Sequence, residues 1–133
     1  MESTNSDYFR HKVEVASPVE RVVMLYDGAL RYMDLSLANL KEGQFESFTM
    51  TNIRTQNILS ELRSSLDHER GGEVSSRLSA IYTYLLGRLV DSNRRRGPEG
   101  IEEASRLMRE LKDGWEQIVA SEANASAEPL TVA

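Results

Sequence analysis

The 133-residue sequence contains no cysteine, only three prolines and a single tryptophan. Without cysteine the chain can form no disulfide, no thiol nucleophile and no cysteine-ligated zinc or iron–sulfur site. It has no apolar run near the roughly 20 residues needed to cross a bilayer, and its start, MESTNSDYFRHK, lacks a signal peptide's apolar stretch. With 16 Lys and Arg against 21 Asp and Glu, the net charge of -5 argues against general nucleic-acid binding. We therefore expect a cytoplasmic domain with no nucleic-acid partner and no membrane insertion.

The motifs of common catalytic and cofactor sites are also missing. The two histidines, His11 and His68, lack the glutamate three residues earlier that di-iron carboxylate bundles use. No Gly-x-Gly-x-x-Gly, P-loop or Gly-x-Ser-x-Gly sequence is present. Glu20, Asp27 and Asp34 recur every seven residues, but a solvated helix flank explains this spacing better than paired catalytic carboxylates. The sequence therefore predicts no enzyme activity, no catalytic residue, no cofactor and no metal; a small helical enzyme remains a third alternative.

The few prolines mark predicted helix starts. Pro18 follows Ser17 and precedes Glu20, which is the pattern of a capping box with proline at the first helical position. Pro98 follows a glycine and precedes a glutamate-rich stretch, so it predicts a second start. The 79 residues between the two prolines contain none, and helices can therefore run through them without a proline break.

Two glycine sites divide the stretch between these prolines. Gly43 and the pair Gly71-Gly72 each follow charged residues and can end a helix. Apolar residues recur at intervals of three and four, and no segment alternates as a strand would. Four helices are predicted, over residues 18–42, 45–69, 73–96 and 98–120. Similar helices joined by short turns favour an all-α fold, an antiparallel up-down four-helix bundle over residues 17–120.

Both ends of the chain differ from this bundle. Residues 1–16 are mostly polar but carry Tyr8 and Phe9, which predicts a short N-terminal docking segment. Residues 121–133 are small and polar without an apolar period, which predicts a disordered tail. The residues given a core or structural role lie on the main apolar stripes or at the first helix start, and they are Ser17, Pro18, Tyr26, Ile81, Leu85 and Trp115.

Apolar residues exceed what one buried stripe per helix requires. Isolated exposed apolar residues are normal, but a contiguous excess on long helices indicates grooves that accept an amphipathic segment. Self-association would use the same surplus, so a helical binding module is favoured over a homodimer by a modest margin. The off-stripe residues are Met24, Leu25, Tyr32, Leu35, Met50, Ile53, Ile58, Tyr84, Leu86 and Val90.

Short motifs in a fixed order also carry a family resemblance. They are Tyr8-x4-Val13-x2-Ala16-Ser17-Pro18, Met24-Leu25-Tyr26-Asp27-Gly28-Ala29, Asn57-Ile58-Leu59-Ser60-Glu61-Leu62, Leu66-Asp67-x-Glu69-x-Gly71-Gly72-Glu73, Ile81-Tyr82-x-Tyr84-Leu85, Arg88-Leu89-x3-Asn93 and Trp115-x-x-Ile118. Over residues 8–119 the chain resembles the FliS family of flagellar export chaperones. It departs from the family pattern at Ile81, where Leu is commoner, and at Thr83 and Leu85, where Asp and Met are commoner.

The resemblance implies a cytoplasmic four-helix chaperone for flagellin. Such a chaperone binds the disordered C-terminal segment of flagellin in hydrophobic grooves, prevents premature polymerisation and delivers it to the cytoplasmic domain of the flagellar type III export gate. The resemblance also implies a role for the N-terminal tyrosine, here Tyr8. Combined with the off-stripe residues, it predicts flagellin contacts at Tyr8, Leu25, Ile53, Ile58, Tyr84 and Leu86. The alternative is a helical adaptor or homodimerisation module of another secretion or regulatory system.

Overall fold

A computed structural model describes residues 16–124, which form four helices and no strand within that range. The helices are α1 (Pro18–Lys41), α2 (Phe45–Ser64), α3 (His68–Arg95) and α4 (Glu99–Asn124). Because three residues join each helix to the next, successive helices run antiparallel. Helices α1 and α3 each pack against both α2 and α4. The predicted all-α four-helix bundle is confirmed.

The start of α1 contains both hydrogen bonds of a capping box. The Glu20 backbone N–H donates to the Ser17 hydroxyl over 3.1 Å, and the Ser17 backbone N–H donates to the Glu20 carboxylate over 3.2 Å. Pro18 occupies the first helical position, where its missing N–H has no intrahelical acceptor to lose. The direction of the chain entering the bundle is therefore fixed by local chemistry.

The predicted boundary between the second and third helices is partly wrong. Helix α2 ends at Ser64, before the predicted residue 69, and the Asp67 side chain caps α3 by accepting from the Arg70 backbone N–H over 3.0 Å. Gly72 does interrupt the helical geometry, but it lies inside α3 as a kink with φ 50° and ψ −123°, a conformation that residues with a Cβ avoid. The turn between α2 and α3 therefore lies several residues before the glycine pair.

The last helix also differs from its predicted bounds. The predicted segment covers residues 98–120, whereas α4 begins at Glu99 and continues to Asn124. The Glu102 N–H donates to the Pro98 carbonyl over 2.9 Å, so the proline still takes part in the first turn. The remainder of the predicted tail, residues 125–133, and most of the N-terminal docking segment lie outside the described residues.

The core is built from the main stripes of all four helices. Tyr26, Leu85 and Trp115 are buried in it, and Ile81 is partly buried against it. The other large side chains that are fully buried include Val19, Met33, Phe48, Asn52, Leu59, Leu62, Tyr82, Leu89, Ile101 and Met108.

Polar side chains in the core donate to backbone carbonyls of neighbouring helices. The Asn52 amide donates to the Leu89 carbonyl over 3.0 Å, joining α2 to α3. The Ser36 hydroxyl donates to the Phe48 carbonyl over 3.0 Å, joining α1 to α2. A buried polar group that has a partner avoids a desolvation penalty of about 1–3 kcal/mol. These bonds therefore fix the axial position of α2 against α1 and α3.

Two buried tyrosines connect helices that lie diagonally across the bundle. The Tyr26 and Tyr82 hydroxyls are 2.7 Å apart, and their rings meet edge to face with centroids 6.4 Å apart. Burial raises the pKa of both phenols, and their bond to each other adds to the rise for Tyr82. Both side chains therefore stay neutral, and α1 is tied to α3 through the centre of the core.

Candidate functional site

Surface clefts follow three of the seams where neighbouring helices meet. Their volumes are about 420 Å³ between α1 and α2, about 440 Å³ between α3 and α4, and about 410 Å³ between α1 and α4. Because α1/α2 and α3/α4 are separate pairs in a four-helix ring, the first two clefts open on opposite sides of the bundle. A single long ligand would have to wrap round the protein to occupy both.

The α1/α2 cleft has an apolar floor and one charged edge. Its lining includes Leu25 and Tyr32 from α1, Ile58 from α2, and the charged side chains of Asp27 and Arg31. Gly28 also lines the cleft, and a Cβ there would lie 3.4 Å from the Ile58 Cδ1. The cleft therefore brings together Leu25 and Ile58, two residues predicted to contact flagellin.

The α3/α4 cleft pairs an apolar floor with an aromatic wall. Ile81 from α3 and Leu107 and Leu111 from α4 are partly buried against the core and line it. Tyr84 forms the wall and is half exposed. Glu110 stands at the edge. Tyr84 is the predicted contact residue that this cleft contains.

The hydroxyl of Tyr84 is held from across the seam. It donates to Glu103 Oε2 over 2.7 Å, while Arg88 Nε donates to Glu103 Oε1 over 2.6 Å. The hydrogen bond to the carboxylate raises the pKa of Tyr84. The same bond, followed by the bond from Arg88, lowers the pKa of Glu103. The three groups therefore keep a neutral phenol, a carboxylate and a guanidinium at neutral pH.

Asp91 extends this polar network along α3. Arg88 Nη1 lies 3.4 Å from one oxygen of Asp91, and the other oxygen accepts from Arg94 over 2.9 Å and from Arg95 over 3.0 Å. The hydrogen bond from Arg94 is the main cause that lowers the pKa of Asp91. Arg94 and Arg95 thus pair within their own helix.

The α1/α4 cleft is apolar with an acidic edge. Val23, Met24 and Val119 are among its apolar residues, and Glu20 and Glu116 are among its carboxylates. It shares Met24 with the α1/α2 cleft, so the two form adjoining surfaces on either side of α1.

The structure distributes the predicted flagellin contacts over several faces. Leu25 and Ile58 share one cleft, and Tyr84 lies in another. Ile53 is exposed and Leu86 is partly buried, and neither lines the three clefts described above. Tyr8 lies outside the described residues.

The predicted contact residues do not include the floor of the α3/α4 cleft or the α4 side of the α1/α4 cleft. Leu107 and Leu111 lie on the main stripe of α4, which predicts a core position, and Val119 is not among the off-stripe residues. The apolar stripe of α4 is wide, and residues at the edges of a wide stripe cannot all reach the centre of a four-helix bundle. The width of the stripe therefore indicates that some of its residues lie near the surface.

Residues 16–124 offer neither a metal site nor a membrane span. No group of three or more His, Asp or Glu side chains in that range is placed to hold a metal ion. None of the four helices described is long and apolar enough to span a membrane.

The four helices and the clefts along their seams place the chain in the class of all-α antiparallel four-helix bundles. Its particular family is given by sequence comparison, in which the family model described as Flagellar protein FliS matches residues 1–122. The chain belongs to the FliS family.

Individual relatives agree with this assignment. The chain is similar to the flagellar secretion chaperone FliS of Salmonella typhimurium, at 33% identity over 104 residues that cover 77% of each chain. It is 30% identical to that of Bacillus subtilis over 115 residues, covering 86% of this chain and 85% of the relative. For Escherichia coli the identity is 31% over 107 residues, covering 80% and 79%. All three relatives are named secretion chaperones.

Proposed function

We propose that this chain is a cytoplasmic, non-enzymatic export chaperone for flagellin. It binds the disordered C-terminal segment of flagellin in its clefts, prevents premature polymerisation, and delivers the client to the cytoplasmic domain of the flagellar export gate. One observation carries the proposal: a member of the FliS family, whose relatives are named secretion chaperones, presents apolar clefts on opposite sides of the bundle.

The energetics of such a complex are consistent with clefts of this kind. Folding a disordered segment on binding consumes about 2–5 kcal/mol of the interaction energy. Burial of apolar surface contributes about 25 cal/mol per Å², so a few hundred Å² exceed that cost. Two clefts joined by one flexible client gain further affinity, because the second contact forms at high effective concentration. Release then requires no nucleotide and no catalytic group.

The direct test is binding of the full chain to the C-terminal segment of flagellin. We expect a one-to-one complex that co-elutes in size-exclusion chromatography and shows a negative heat-capacity change in calorimetry. Deleting the last helical segment of the client should abolish or strongly weaken the complex. Unchanged affinity after that deletion would contradict the proposal.

Substitutions can then assign the two clefts. Ile58→Asp in the α1/α2 cleft and Ala80→Asp in the α3/α4 cleft each place a charge where we expect an apolar client surface, and each should weaken binding about tenfold or more. The matched control is Val74→Asp, because Val74 is also on α3, is 54% exposed and lines none of the three clefts. Ile58→Ser provides a milder second variant if the melting temperature of Ile58→Asp falls.

Tyr8 and the alternative function need their own tests. Tyr8→Ala should change client affinity or delivery to the export gate and leave the melting temperature nearly unchanged; unfolding would instead assign Tyr8 to the core. A chain that fails to bind flagellin and sediments as a dimer across a concentration series would favour the homodimerisation module.

A further inference from the structure

We infer that Glu103 and Arg88 are positioning residues that fix the Tyr84 ring as a wall of the α3/α4 cleft, and that they thereby set the affinity of this cleft for its client. The inference rests on the proposed function, because the client is the C-terminal segment of flagellin. Neither Glu103 nor Arg88 lines the cleft. They act on the client through Tyr84.

Tyr84 is held at its hydroxyl end. A half-exposed tyrosine on a helix surface is ordinarily free to change its rotamer. Here its hydroxyl donates to Glu103 Oε2 over 2.7 Å, and Arg88 binds the other carboxylate oxygen over 2.6 Å. Both oxygens of Glu103 are thus engaged by α3, although Glu103 itself belongs to α4. Charge-assisted bonds of this length are stronger than neutral ones.

The pair that holds Tyr84 is itself supported. The side chains of Arg88 and Glu103 are only 31% and 27% exposed, so water competes less for them than for a fully exposed pair. Arg88 also lies 3.4 Å from Asp91, whose side chain is 26% exposed. The guanidinium is therefore located by two carboxylates on different helices.

The backbone beneath Glu103 is closely packed. Gly100 lies so near to α3 that a Cβ there would overlap the Arg88 carbonyl oxygen. The next residue, Ile101, donates its N–H to the Ser92 hydroxyl over 3.1 Å. The first turn of α4 is therefore fixed against α3, and Glu103, one turn after Gly100, approaches Tyr84 from a rigid backbone.

Two consequences follow for the client. A ring that is already ordered need not be immobilised on binding, and the saving for one side chain corresponds to about two- to tenfold in affinity. The hydroxyl is also occupied by Glu103, so the cleft offers the client the apolar ring together with Ile81 and Leu107. We therefore expect apolar client side chains at this wall.

A binding cycle tests the inference with the C-terminal segment of flagellin in calorimetry. Tyr84→Phe and Glu103→Ala should each weaken binding about two- to tenfold, and the double variant should weaken it no further than either single variant. Glu103→Gln, whose amide oxygen can still accept from Tyr84, should recover most of the affinity. The matched control, Glu102→Ala, removes a neighbouring exposed carboxylate that lines none of the three clefts and should leave affinity unchanged. Additive losses of affinity in the double variant, or an unchanged affinity in Glu103→Ala, would overturn the inference.

A measurement without client separates this inference from the proposed function. In protein labelled with ¹³C at tyrosine Cζ, the Tyr84 resonance, assigned with Tyr84→Phe, should titrate at lower pH in Glu103→Ala than in the wild type. An identical titration in the two proteins would overturn the inference even if flagellin binds. If the wild type does not bind the flagellin segment, the proposed function fails, and the titration alone reports whether Glu103 acts on the Tyr84 hydroxyl.

Discussion

The α1/α2 and α3/α4 clefts each present a tyrosine, but the two rings are held in different ways. The Arg54 guanidinium lies 5.8 Å from the centre of the Tyr32 ring, a cation–π contact that contributes about 0.5–1 kcal/mol at an exposed site. Tyr84 is instead held by a directional bond from its hydroxyl to Glu103. The first ring can shift over its cation, whereas the second is fixed. The α1/α2 cleft can thus adjust the position of its tyrosine, whereas the α3/α4 cleft holds its tyrosine in place.

The difference between the clefts extends to the backbone of each seam. A Cβ added at Gly28 in the α1/α2 seam would lie 3.4 Å from a side-chain methyl, the Ile58 Cδ1, which is an ordinary van der Waals contact. A Cβ added at Gly100 in the α3/α4 seam would overlap the Arg88 backbone carbonyl. A side chain can yield to an added methyl group, but a helix backbone cannot. The α3/α4 seam therefore has less room for an added methyl group at its glycine than the α1/α2 seam has.

Substitution of Gly100 and Gly28 should give the largest difference in protein stability between the two seams. Gly100→Ala forces α4 away from α3 and should destabilise the protein by about 1–3 kcal/mol, as overpacked cores do. Gly28→Ala should be neutral or stabilising by up to about 1 kcal/mol, because alanine favours the helix and its methyl group only touches Ile58. Urea denaturation measures both. Equal effects of the two substitutions would contradict the difference in packing at the two glycines.

Loss of the buried tyrosine pair that joins α1 to α3 should give the next largest change in stability. Tyr82→Phe removes a hydroxyl to which Tyr26 is hydrogen-bonded and should destabilise the protein by about 1–2 kcal/mol, because a buried polar group loses a hydrogen bond. The double variant Tyr26→Phe/Tyr82→Phe should lose less stability than the sum of the two single variants, because the bond between the two hydroxyls is lost only once. A double-mutant cycle in urea measures this coupling. Strict additivity would show that the two hydroxyls do not depend on each other.

Local signals explain which parts of the fold could be predicted from the sequence. The Ser17, Pro18 and Glu20 pattern predicts the start of α1 because all partners lie within four residues. Four apolar stripes of helical period likewise predict the bundle. At the end of α2 a local signal is misleading, because Gly71-Gly72 resembles a helix end and the Asp67 cap decides the boundary.

The remaining features depend on contacts between helices, which periodicity does not contain. Asn52 lowers the apparent amphipathicity of α2, yet it is fully buried because the Leu89 carbonyl of α3 accepts its amide. The residues of the candidate site likewise depend on contacts between helices that periodicity does not contain. Leu25, Ile53 and Tyr84 all lie off their stripes, and this criterion does not say which neighbouring helix completes a cleft. Only the packed structure separates Leu25 and Tyr84 into clefts and leaves Ile53 outside them.

The smallest predicted effect is a pH dependence specific to the α3/α4 seam. The pKa of Glu103 is lowered from its ordinary 4.5 by Tyr84 and then Arg88, and Arg106 acts in the same direction. A carboxyl group whose folded pKa is lowered stabilises the protein above its unfolded pKa, and this contribution is lost as the pH falls through the folded value. The pKa of Tyr84 is raised from its ordinary 10.0, mainly by Glu103. Its contribution is therefore complete below pH 10 and is lost as the pH rises through the raised value.

The directions of these two pKa shifts predict a pH range over which the contribution of the pair to stability is constant. The contribution falls at lower pH and at higher pH. Between about pH 5 and 9 the stability difference between the wild type and Glu103→Gln should be constant, and it should shrink below pH 4.5 as the wild-type carboxylate is protonated. Urea denaturation over this pH range measures the difference, with Glu102→Gln as the control for loss of one nearby negative charge. A difference that persists unchanged down to about pH 2 would mean that the Glu103 carboxylate does not contribute through its charge. Because the α1/α2 tyrosine is held by a cation on its ring face, Tyr32→Phe should leave this plateau unchanged, and that contrast assigns the pH dependence to the α3/α4 seam.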